Sequence, residues 1–149
     1  MAIIDSKLTF GENVEVTTDL ELPEVIDLAA YEASGARDAI ARGEPVWWVN
    51  MISDRGTGGT NIAFRLRNSS TLNGSKDTVI YGRIIPADDM FTGLHFVSCI
   101  PVTNIFTPRF LHSAVDVVGP SPAFSGMKVT AYLTASPPIF SNDNHIDWR

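Results

Sequence analysis

Side-chain alternation with a period of two, interrupted at short intervals by glycine and proline, constrains this 149-residue chain more than any other feature. In 61–68, Ile62, Phe64 and Leu66 share one face while Ala63, Arg65 and Arg67 take the other. In 111–117, Leu111, Ser113, Val115 and Val117 alternate with His112, Ala114 and Asp116. In 127–134, Val129, Ala131 and Leu133 alternate with Lys128, Thr130 and Tyr132, and in 46–52 Trp47, Val49 and Met51 share a face. Successive strand side chains point to opposite sides of a sheet, so each run predicts a strand with one buried face. The runs 78–85 and 94–100 are β-branched and aromatic without clean alternation, which predicts more fully buried strands.

Turn chemistry separates these runs. Asp54-Arg55-Gly56-Thr57-Gly58-Gly59 reads as a flexible hairpin, and Asn73-Gly74 is a strong tight-turn signal. Pro86, Pro101, Pro108, Gly119-Pro120 and Pro122 open or close others. With one more strand at 24–28, about eight result, and that number and spacing suit a sandwich or jelly roll. The expected fold class is therefore all-β: a jelly-roll-like antiparallel β-sandwich over 24–135. An extended acidic N-terminal arm, 1–23, and an extended C-terminal tail, 136–149, flank it. The Ala-rich stretch 29–41 is the one helix candidate, and Gly35 inside it leaves a short helix or a loop open. Each arm carries large apolar residues: Ile3, Ile4, Leu8 and Phe10 in the first, Ile139, Phe140 and Trp148 in the second. Arms this short bury little apolar surface alone, so these side chains dock on the chain's own core or on a neighbouring subunit. On the second option they are candidate subunit contacts.

The formal net charge of −6 is unevenly placed. Residues 1–36 hold eight acids (Asp5, Glu12, Glu15, Asp19, Glu21, Glu24, Asp27, Glu32) against the single base Lys7. Phosphate binding needs a basic surface, so no nucleic-acid partner is expected. The acidic segment suits either a basic patch on a protein or plain solvation. No apolar stretch approaches the ~20 residues that span a bilayer, and no membrane partner is expected. The opening MAIIDSKLTF lacks the pattern of a secretory signal. Cys99 is the one cysteine, so no intrachain disulfide forms.

The search for chemistry returns little. His95, His112 and His145 lack partners at metal-ligand spacing, and the paired histidines of a cupin-type site are absent, so no metal and no cofactor are expected. His95 and His112 read as ordinary strand residues. The glycine-rich hairpin lacks the Gly-Lys-Ser/Thr end of a phosphate loop. Ser141–Asp147 is rich in oxygen ligands without the glycine and closing glutamate of a calcium loop. Cys99 lies in an apolar run with no adjacent base, and Gly-x-Ser-x-Gly is absent. No catalytic residue is assigned, and the chain is not expected to be an enzyme.

One ordered set of motifs resembles a known family. Val25-Ile26-Asp27-Leu28 is followed by Arg37-Asp38 and Gly43-Glu44-Pro45-Val46-Trp47. Then come Phe64-Arg65-Leu66-Arg67-Asn68-Ser69 and Gly82-Arg83-Ile84-Ile85-Pro86. Last are Arg109-Phe110-Leu111-His112-Ser113, Val117-Val118-Gly119 and Gly126-Met127-Lys128-Val129-Thr130-Ala131-Tyr132-Leu133. Over roughly residues 1–135 this order resembles the capsid cement (decoration) proteins of tailed bacteriophages, typified by a Bordetella phage. The chain departs from that pattern at His112, where the family often has another Arg, in the two-proline loop Gly119–Ser125, and in its longer tail.

The resemblance implies a jelly-roll structural protein on the exterior of an icosahedral capsid, made in the bacterial host cytoplasm and carried in the virion. Its implied partners are the phage major capsid protein and further copies of itself, in a dimer or a trimer. Bridging several subunits at once gains from effective concentration. Ile3, Ile4, Leu8, Phe10, Ile139, Phe140 and Trp148 would then be the capsid contacts, and an arm separable near residue 22 would act as a clamp. A carbohydrate- or receptor-binding jelly-roll module of a phage particle is the alternative, with one of Trp47 and Trp48 exposed to serve a sugar. A cupin-like enzyme is the third reading, disfavoured by the missing metal ligands.

Overall fold

The computed structural model describes residues 8–29, 46–100 and 109–134, and the backbone of 145–147. The helix candidate beyond Ala29 lies outside the described residues, as do Ile3, Ile4, Ile139, Phe140 and Trp148. The first sheet joins, in spatial order, β1 (Thr9–Glu15), β12 (Lys128–Thr134), β4 (Trp47–Asp54), β9 (His95–Cys99) and β13 (His145–Asp147). The second joins β2 (Leu20–Glu21), β10 (Phe110–Val118), β6 (Asn61–Ser69) and β7 (Asp77–Tyr81). β3 (Ile26–Asp27) continues the β2 edge along β10, and β8 (Ile85–Pro86) continues the β7 edge along β6. A two-stranded ribbon pairs β5 (Thr57–Gly58) with β11 (Phe124–Ser125). These pairings are antiparallel except β13 on β9, which is parallel. The protein is thus nearly all-β, as its alternation requires.

The inner faces of both sheets share one core. From the second sheet come Ile62, Phe64, Leu66, Leu111, Val115 and Val117, and from the first Val129, Ala131 and Leu133. These are the faces that the alternation selects. The layers meet at three aromatics. Phe96 on β9 stands edge-on to Trp48 at 5.4 Å between centroids and tilted against Phe64 of the opposite sheet at 5.7 Å. Such geometries add to area burial because positive ring edges meet negative faces. The Trp48 indole N–H donates across the layers to Ser113 Oγ at 3.3 Å, so the buried ring keeps its polar atom satisfied.

Four expectations meet a different arrangement. The first concerns the acidic arm. Its described part, 8–23, contributes β1 and β2 to the sandwich, with Phe10, Val16 and Leu22 at 0, 0 and 3% exposure in the core. Apolar residues interleaved with Glu12, Glu15, Asp19 and Glu21 turn inward while the acids stay at the surface of the sandwich. Second, on β4 the core-facing set is Trp48 and Ile52, not Trp47, Val49 and Met51. Val49 instead joins Val97 and Tyr132 in a second apolar cluster, with Trp47 half-buried against it. When both faces of a strand are apolar, alternation does not say which one faces the core.

Third, the run 78–85 is not a fully buried strand. It breaks into β7 and β8, and β7 is an edge strand with Asp77, Thr78 and Tyr81 exposed. β-branched and aromatic content reports fit to a pleated surface, not the number of neighbours. The break falls at Gly82, whose N–H donates to the Phe64 carbonyl at 2.8 Å. A Cβ there would stand 2.8 Å from the Phe96 ring, so glycine lets the backbone cross the aromatic trio. Fourth, His112 does not sit as an ordinary strand residue, and the site below is built around it. Asn73-Gly74 does close the β6–β7 turn: the Gly74 N–H donates to the Thr71 carbonyl at 3.2 Å, and a Cβ on Gly74 would strike Thr71 Oγ1.

Candidate functional site

Of the residues expected as subunit contacts, two are described, and both pack inward. Leu8 is half-buried against the core and Phe10 is at 0% exposure. Among the described residues, the large apolar side chains that do stand in solvent are others: Leu72, Tyr81, Ile84, Phe91 and Val118, at 52, 49, 46, 39 and 37% exposure. Tyr81 ends the edge strand β7, Ile84 follows it, and Leu72 tops the turn that leads into it. These positions were not selectable from sequence, because exposure on a β-rich chain depends on which strand ends up at an edge.

The densest polar constellation lies on the outer face of the second sheet. The register sets His112 on β10 opposite Arg67 on β6, and Ala114 opposite Glu21 on β2. His112 is 1% exposed although it faces away from the core. Its Nδ1 lies 2.9 Å from Glu21 Oε1, a short but bent contact held more by charge than by direction. Its Nε2 lies 2.8 Å from Ser69 Oγ, and the Ser69 hydroxyl donates to the Thr71 carbonyl at 2.7 Å. Lys76 Nζ stands 3.6 Å from the same Glu21 oxygen, and Arg67 Nη2 donates to the Lys76 carbonyl at 3.2 Å. Beside this group, Arg65 and Asp116 form their own pair, with Nε–Oδ2 at 2.9 Å and Nη2–Oδ1 at 3.0 Å.

Burial is the main cause holding the His112 pKa below its ordinary value, with Lys76 and Arg67 pushing the same way and Glu21 pulling against them. The order carboxylate, imidazole, hydroxyl is that of a serine nucleophile relay. Here the hydroxyl is enclosed, at 2% residue exposure, and is spent on the Thr71 carbonyl. As built, the group ties a turn to the sheet. Alternation does place His112, Arg67 and Ser69 on one outer face. Glu21 was beyond reach, because its strand pairs with β10 across more than ninety residues of chain.

The remaining sequence candidates are quiet. Arg55 closes the glycine-rich hairpin, with Nη2 donating to the Gly58 and Ala87 carbonyls at 3.3 and 3.2 Å and its guanidinium 5.5 Å from the Phe124 ring. Cys99 is a half-buried free thiol. Among the described residues, no three His, Cys, Asp or Glu side chains gather as a metal site, and no helix is long and apolar enough to cross a membrane. His145 is described in its backbone alone, and Ser141–Asn144 lie outside the described residues. No family model matches the chain, and no curated protein matches it.

Proposed function

We propose that this chain is a capsid cement protein: it binds the outer surface of an icosahedral phage head as a symmetric oligomer and bridges subunits of the major capsid protein. The observation that carries the reading is the way the resembling motifs use the fold. The Ile-Asp-Leu motif supplies β3, the Phe-Arg-Leu-Arg motif β6, the Arg-Phe-Leu-His motif the start of β10, and the final Gly-to-Leu motif β12. Two of them are joined directly, through the Asp27–Arg109 fork. From β1 to β12, leaving aside the β5–β11 ribbon and treating β2 with β3, and β7 with β8, as bent single strands, the chain visits the first sheet, the second, the first, the second twice, the first, the second and the first, and β13 then adds an edge strand to the first. That winding is the one expected of a double Greek-key jelly roll, and it supports the same reading.

A stiff sandwich suits a bridge that must carry load between neighbouring capsid subunits. Leu72, Tyr81 and Ile84 offer apolar contact area around the β7 edge, and tyrosine is among the side chains enriched where binding energy concentrates. The alternative, a glycan-binding module, draws no comparable support, since Trp47 is half-buried against Val49, Val97 and Tyr132. The experiment is add-back: purified chain is mixed with expanded shells that lack it, and binding and shell melting are followed. Saturable binding in a fixed ratio to capsid subunits, with a raised shell melting temperature, is expected. A chain that stays unbound and leaves shell melting unchanged would overturn the proposal.

A further inference from the structure

Three short contacts run in series from the Glu21 carboxylate to the Thr71 carbonyl: Oε1 to His112 Nδ1 at 2.9 Å, Nε2 to Ser69 Oγ at 2.8 Å, and Oγ to the carbonyl at 2.7 Å. Both ends of the series are acceptors: the two directed hydrogen bonds need a proton each, and the bent Nδ1 contact favours a carboxylate only when Nδ1 carries a proton too. A neutral imidazole and a serine hydroxyl hold two protons between them. With Glu21 ionised, the third is the second ring proton of His112. We infer that the Glu21–His112 pair is a one-proton switch, and that the Ser69 hydroxyl passes its state to the turn 70–76.

With the proton bound, both ring N–H groups donate, Nδ1 to Glu21 and Nε2 to Ser69, and the Ser69 hydroxyl donates to the Thr71 carbonyl. With the proton gone, Nδ1–H stays on Glu21 and the Ser69 hydroxyl rotates to donate to the bare Nε2. Among the described residues the Thr71 carbonyl then keeps the Gly74 N–H, at 3.2 Å within its own turn, and the turn is held to the sheet at its far end alone, by the Arg67–Lys76 bond. The charged groups facing the ring come from three elements: Glu21 on β2, Arg67 on β6, and Lys76 at the end of the turn. Glu21 favours the proton, while Arg67, Lys76 and burial oppose it, so the resting state near neutrality is the untied one. Asp116 on β10 is engaged by Arg65. The turn that responds carries Leu72, the most exposed large apolar side chain among the described residues.

The test is a titration of the isotope-labelled chain by NMR from about pH 8 to 4.5, across the usual range of histidine switching. It reads the His112 ring nitrogens and the backbone amides of Thr71 and Gly74. The expected result is one shared midpoint for ring and turn. Ser69→Ala should abolish the turn's response while the ring still titrates. Glu21→Gln, at a partly exposed position that leaves the core untouched, should move the midpoint to lower pH. The inference is overturned if the turn amides do not follow the ring, if they follow it unchanged in Ser69→Ala, or if the ring takes up no proton over the range.

Discussion

The Asp27 carboxylate and the Arg109 guanidinium meet as a two-pronged fork, Nε to Oδ1 and Nη2 to Oδ2 both at 2.6 Å, between residues 82 apart in the chain. The fork pins β3 to the start of β10, where Phe110 pairs with Asp27 and Leu111 with Ile26. The Arg109 hydrogen bond is the main cause lowering the Asp27 pKa below 3.8, and the Ala29 N–H adds to it. The depressed folded value means the contribution is present above the ordinary carboxylate range and is lost as pH falls through the folded midpoint. A carbon-detected titration should place Asp27 below 3.8, and Arg109→Ala should return it toward that value. An Asp27 midpoint unmoved by Arg109→Ala would show that the fork does not persist in solution.

Gly82 marks where a side chain has no room. Gly82→Ala sets a methyl carbon against the Phe96 ring, which is already packed by Trp48 and Phe64. Overpacking of that kind costs about 1–3 kcal/mol. Chemical denaturation should show a lower midpoint with an unchanged slope.

Asn50 is a buried polar residue of the core. It is 0% exposed, and neither Oδ1 nor Nδ2 has a hydrogen-bond partner among the described residues. Leaving a buried polar group unpaired costs about 1–3 kcal/mol. Asn50→Val, which keeps a strand-compatible shape, should therefore raise the denaturation midpoint. A fall instead would reveal a buried partner for the amide.

His112 contributes to the pH dependence of stability on the acid side, at higher pH than Asp27 does. Its folded pKa lies below the ordinary 6.5, chiefly through burial. Between the folded value and 6.5 the unfolded chain binds more protons, so stability rises with pH across that window. It is complete above the ordinary value and is lost as pH falls toward the folded one. The protonated ring completes the hydrogen bonds of the turn, yet the cost of a charge at a buried position sets the overall sign. Denaturation midpoints compared at about pH 5 and 7 should show the rise, and His112→Gln should flatten it.

The alternating strands were legible because their periodicity survives into the folded faces: Ile62, Phe64 and Leu66, and Val129, Ala131 and Leu133, line the core. Residues 8–23 hide their strand in the sequence because acids interrupt it: β1 forms by pairing with β12, and Phe10 and Val16 then join the core. A cut near residue 22 would remove β1 and β2 from the sheets. The His112 network was illegible because Glu21, Ser69 and Lys76 are gathered by strand pairing, a long-range outcome that no local pattern records. The exposure of Tyr81 is not legible because an edge strand and a central strand draw on the same residue types.

Imaging the particle that carries this chain tests the proposed role most directly. A reconstruction should show the two-sheet sandwich seated in copies over the junctions between major capsid subunits, with Leu72, Tyr81 or Ile84 at the buried contact. A shell without that density, or a sandwich placed on the tail instead of the head, would contradict the cement reading.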